Sequence, residues 1–139
     1  MSTHVNWFGI LRGAIGGVAL AALSQGVVAV IAWSSPSPDA NIGAGLLAFA
    51  VASVAALAWC GVESYRAGLT LGLIIAVVSA MTYAAATLAF LAAGAAADSE
   101  SFVEALLLDL GLGGFLAGLV AGPGAVGAIL GHSARSQRQ

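Results

Sequence analysis

The sequence predicts an all-α integral membrane four-helix bundle, with both termini in the cytoplasm and helix interfaces rich in glycine and alanine. Three observations predict it. The composition is 60% hydrophobic and 7% charged, whereas soluble domains carry roughly 25% charged residues. Four apolar runs, over about 13–33, 42–62, 69–95 and 104–130, each reach the roughly 20 residues needed to cross a bilayer. All of the basic residues are arginine, and Arg12, Arg66, Arg135 and Arg138 fall on one side of a four-span chain. The positive-inside rule makes that side cytoplasmic.

The first run follows Arg12; its helix has Gly9, Gly13 and Gly17 at four-residue spacing, with Ser24 and Gln25 further along. It exceeds the 7–15 apolar residues of a signal peptide, and "AWSSPSP" is a poor cleavage site, so the run is expected to be a span. The break "SSPSPDAN" (34–41) combines proline, Asp and Asn, which is turn chemistry. The second run presents Ala44, Ala48, Ala52 and Ala56 on one ridge and ends near Cys60, which is expected only to pack. In "VESYRAG" (62–68), Glu63 and Arg66 stand three apart, a spacing that allows an ion pair on a helical turn.

Gly68, just ahead of the third run, continues with Gly72, Ala76, Ala80 and Ala84 on one ridge. Ser79, Thr82 and Tyr83 of that run are expected level with Ser24 and Gln25. In "DSES" (98–101), Asp98 or Ser99 is the expected N-cap of the last helix, with Ser101 and Glu104 forming a capping box. The fourth run holds Gly114, Gly118 and Gly122, followed by Gly127 and Gly131, and "GPG" (122–124) is expected to bend it. Trp7, Trp33 and Trp59 fall near water interfaces, where aromatic belts sit.

Such glycine density makes sense in lipid. Apolar helices gain little hydrophobic energy by meeting there, so association rests on close van der Waals contact between small residues. The expected use of these ridges is packing inside one bundle, with oligomerisation or a pore lined by small residues as the other use. The helix-packing set is Gly9, Gly13, Gly17, Gly68, Gly72, Gly114, Gly118 and Gly122.

Asp109 is the sharpest polar feature. It lies about 7 Å along the helix from Glu104 at 1.5 Å per residue, and an ionisable residue inside the membrane is a functional candidate. Thr87, at a similar level on the third run, is its expected hydrogen-bond partner.

Several chemistries are excluded by absent residues. Without lysine there is no Schiff base and no P-loop. A single cysteine excludes an intrachain disulfide and every Cys-x-x-Cys pattern. His4 and His132 stand at opposite ends of the chain, so no metal or cofactor is expected. No basic patch suggests nucleic acid, and the runs lack the alternation of a β-barrel pore. No nucleophile–base pair can be assembled, so no enzymatic activity is expected.

"RGAIGG" is echoed by "RAGLTLG", and "GVESYR" by "GHSAR", a faint duplication that would place two parallel hairpins about an axis along the membrane normal. The Arg12–Gly13 entry, the turn "GVESYRAGLTLG" and the glycine-rich last run together resemble the small four-span prokaryotic membrane proteins of unknown function. That resemblance implies the four-span architecture and no activity. Small multidrug transporters need a glutamate in the first span, where this chain has Gln25. Fluoride channels need an asparagine within the second span, and quinone-reducing thiol enzymes need paired cysteines. The expected role is a non-enzymatic accessory or scaffold subunit of the plasma membrane. Its partners would be the lipid bilayer and either itself or a larger membrane complex. The alternative is a small transporter or channel using Asp109.

Overall fold

The computed structural model describes residues 6–35, 37–95 and 102–139, with side chains for all of these except 38, 40, 41, 92–95 and 102–110. They form four α-helices: α1 (Trp7–Ser34), α2 (Pro38–Ala67), α3 (Leu69–Ala95) and α4 (Phe102–Ser136). Each is long and apolar enough to cross a membrane.

Local chemistry sets the helix ends. α1 begins at Trp7, ahead of its apolar run, because the Asn6 side chain accepts from the Gly9 N–H at 3.1 Å. This is an N-cap that satisfies one orphan donor. α2 opens on Pro38, a residue suited to the first helical position because its missing N–H would go unused there. α2 runs past its apolar segment to Ala67 and meets α3 through Gly68 alone, which has φ +103°. Gly68 therefore makes the reversal and is not part of a packing ridge as expected. A Cβ is disfavoured at that φ. The capping sequence expected before α4, Asp98 to Ser101, lies outside the described residues, as does the side chain of Glu104.

α1 rests on α2 and α3, α4 rests on α2 and α3, and α2 touches α3 across the middle. Among the described residues α1 and α4 do not meet. The most extensive contacts join α2 to α4 and α1 to α3, helices that run parallel in an up-and-down chain. The first hairpin thus lies flat against the second. A two-fold axis along the membrane normal would make α1–α4 equivalent to α2–α3, so the expected relation between the hairpins is not the one observed.

Small residues lie inside and large ones outside. Ala44, Ala48, Ala52, Ala56, Ala76, Ala80, Ala84 and Ala128 are buried, while Phe8, Leu11, Ile15, Val30, Leu46, Val54, Met81, Phe90, Phe115 and Leu130 are exposed. In water such a surface would be one continuous apolar patch. In lipid it is the arrangement that lets backbones approach. Buried larger side chains fill two clusters: Leu20, Tyr83, Leu116 and Val120 in one, and Leu71, Ile75 and Cys60 in the other. Phe49 and Phe115 add an edge-to-face pair between α2 and α4, with ring centroids 6.1 Å apart.

Glycine marks the two closest seams. Along α1 and α3, a Cβ on Gly13 would lie 2.7 Å from Val78 Cβ, and one on Gly17 2.6 Å from the Ser79 carbonyl oxygen. Gly9 faces Leu71 in the same way. Gly72 faces α2, where its Cβ would lie 2.6 Å from Ser64 Cβ. Along α2 and α4 the approach is backbone to backbone: a Cβ on Gly127 would overlap the Leu57 carbonyl, and one on Gly131 the Gly61 carbonyl.

Gly114, Gly118 and Gly122 behave otherwise. A Cβ on any of them meets no atom within 4 Å. The expectation that this ridge packs within the bundle is therefore corrected. The face of α4 that meets α2 and α3 is the one carrying Leu116, Val120, Gly124, Gly127 and Ala128. Gly122 and Gly124 are two residues apart, which is about 200° around a helix, so the two stripes lie on opposite sides.

Candidate functional site

Polar groups gather in three places. The first is the end of the bundle that holds the arginines. Arg12 of α1 pairs with Glu63 of α2 through Nη1 and Oε2, and its guanidinium also lies 4.9 Å from the Phe8 ring centroid. Glu63 is only 4% exposed, and a buried carboxylate is strongly destabilising unless paired. The expected Glu63–Arg66 pair does not form; Arg12 takes the carboxylate across the α1–α2 contact. Arg66 instead offers its carbonyl to Arg135 Nη1 at 3.5 Å, and Arg138 Nη1 donates to Tyr65 Oη at 3.4 Å. All four arginines thus cluster around the α2–α3 turn and the C-terminal end of α4.

The second place is the proline of α4. Pro123 sits inside the helix and lacks the N–H that would bond the Leu119 carbonyl. Ser53 Oγ of α2 donates to that carbonyl at 2.8 Å. In a membrane such a freed group needs a partner from a neighbouring helix. The proline identifies the orphan carbonyl in the sequence, but nothing in the sequence identifies Ser53 as the donor.

The third place is a chamber of about 180 Å³ lined by residues from all four helices. Its polar lining is Ser24 and Gln25 from α1 with Tyr83 and Thr87 from α3. Ser24 Oγ donates to the Leu20 carbonyl at 2.9 Å, with the Ala48 carbonyl 3.5 Å away, and lies 3.3 Å from Tyr83 Oη. Because a serine has one proton and Leu20 takes it, Tyr83 is the donor in that contact. Ser79 does not join this group. Its Oγ donates to the Gly13 carbonyl at 2.9 Å, nearer the arginine end.

Thr87 is buried, and its Oγ1 has no hydrogen-bond partner among the described residues. The side chain of Asp109, its expected partner, lies outside the described residues. The same holds for His4. Among the described residues no group of three or more His, Cys, Asp or Glu side chains could hold a metal ion. Cys60 is free and buried against Ile75 and Ala76.

Four membrane-length helices, a small-residue interior and an apolar exterior define an all-α, multi-pass membrane protein. No protein-family model matches the sequence, and comparison with curated proteins and with solved structures finds no match.

Proposed function

We propose that the protein is a non-enzymatic scaffold or accessory subunit of the plasma membrane, with both termini cytoplasmic. In this reading it works by presenting the Gly114–Gly118–Gly122 face of α4 to another helix in the bilayer. One observation carries it: a Cβ on any of those three glycines would meet no atom within 4 Å, so they serve no contact inside the bundle. Each glycine in a helix costs about 1 kcal/mol relative to alanine in water. Four-residue glycine spacing is the pattern by which membrane helices approach closely. The exposed Phe115, beside Gly114, gives the incoming helix an apolar neighbour.

The test is Gly118→Leu in mild detergent and in native membranes, followed by sizing and by identification of co-purifying proteins. The side chain has open space in the isolated bundle, so monomer unfolding should stay within about 0.5 kcal/mol of wild type, as for a surface change. The assembly should dissociate. A variant that keeps its assembly intact, or specific ion or proton flux through the wild-type protein in proteoliposomes, would overturn the scaffold reading.

A further inference from the structure

We propose that the chamber between the four helices binds a small uncharged ring-sized molecule carrying a hydroxyl or carbonyl group. Its volume is about 180 Å³, and an apolar cavity of roughly 150 Å³ accepts benzene. One ring fits and a long solute does not. Phe49, Leu91, Leu112 and Leu116 supply flat or branched apolar walls, the usual composition of a small-molecule site.

The polar groups set the chemistry. Ser24 and Tyr83 bond each other and the Leu20 carbonyl, so their protons are committed and Tyr83 keeps lone pairs to accept with. Thr87 is different: it is 5% exposed and its Oγ1 has no partner among the described residues. A hydroxyl buried without a partner is unfavourable. A ligand oxygen beside it accepts the Thr87 proton, and a ligand hydroxyl can donate to Tyr83 or to the Gln25 amide in return. The described side chains lining the chamber are uncharged, and a neutral ligand suits them because it brings no charge to be compensated in low dielectric.

Gly45 supplies a means of closing the chamber. It lines the space, and a Cβ there meets no atom within 4 Å. Gly45→Leu therefore starts its side chain in open space from a position that lines the chamber, and is chosen to occupy it. The experiment uses the full chain in lipid nanodiscs and follows 4-fluorophenol and fluorobenzene by 19F NMR, with empty nanodiscs as the reference. Wild-type protein should show saturable binding of 4-fluorophenol beyond partition into lipid. Fluorobenzene, which lacks the hydroxyl, should bind about tenfold more weakly, the worth of one hydrogen bond. Thr87→Val keeps the shape and should weaken 4-fluorophenol by about the same factor while leaving fluorobenzene unchanged. Gly45→Leu should abolish both signals. The proposal fails if the wild type shows no saturable binding, if Gly45→Leu binds as the wild type does, or if Thr87→Val weakens neither probe.

Discussion

At the residue scale, the membrane interior makes each backbone polar group an accounting matter, and Pro123 is the clearest case. The Leu119 carbonyl four residues before it has no helical N–H to accept from, and Ser53 takes that place across the α2–α4 seam. Ser53→Ala should therefore lower stability by about 1 kcal/mol, the usual worth of such a bond. With Pro123→Ala, the restored N–H can reach the Leu119 carbonyl, and the loss from Ser53→Ala should shrink. Thermal unfolding of the two single variants and the double variant in detergent gives the coupling directly. Additive effects would show that Ser53 and Pro123 act independently. The proline end of this pair was legible in the sequence, since a proline always orphans the carbonyl four residues back. The serine was not, because Ser53 is one hydroxyl in an apolar run and only the approach of α4 gives it a role.

At the element scale, the bundle is two parallel seams, α1 with α3 and α2 with α4, each closed by glycine. Gly127→Ala would put a methyl group into the Leu57 carbonyl, so the helices must separate, and overpacking of that kind costs about 1–3 kcal/mol. Gly26 on α1 is the internal control, since a Cβ there meets nothing within 4 Å. Gly26→Ala should be neutral or stabilising through helix propensity alone. Unfolding temperatures of the two variants in the same detergent test this, and equal losses would remove the seam as the source of the effect. The sequence made the presence of glycine seams legible but not the choice between faces. On α4, Gly114, Gly118 and Gly122 keep the four-residue pitch better than Gly124, Gly127 and Gly131 do, yet the second set makes the contact. Periodicity describes a helix face without saying what stands opposite it. Gly68 was legible as part of the turn between the second and third runs, but not as the single residue, with φ +103°, that makes the reversal.

At the scale of the whole molecule, all four arginines sit at one end, where Glu63 holds Arg12, the Arg66 carbonyl takes Arg135 and Tyr65 takes Arg138. Under the proposed topology that end faces the cytoplasm. Reporter domains fused after residues 37 and 99 should read external, and one fused after residue 139 should read cytoplasmic. A C-terminal reporter that reads external would invert the assignment. Loss of a single arginine should leave the pattern unchanged, because orientation responds to the summed bias of the loops.

What the sequence determined by itself was everything that depends on the solvent and on local chain chemistry. A chain with 7% charge cannot face water, and backbone groups in lipid must bond within helices, so four long apolar helices follow without knowledge of any contact. Tertiary structure alone decided which face of α4 packs and which side chains meet across the seams. In lipid no hydrophobic difference distinguishes one apolar helix face from another, so the choice rests on fitted contact between particular atoms. For that reason Glu63 found Arg12 instead of Arg66, Ser53 found the Leu119 carbonyl, and Thr87 came to line a chamber that no single span contains.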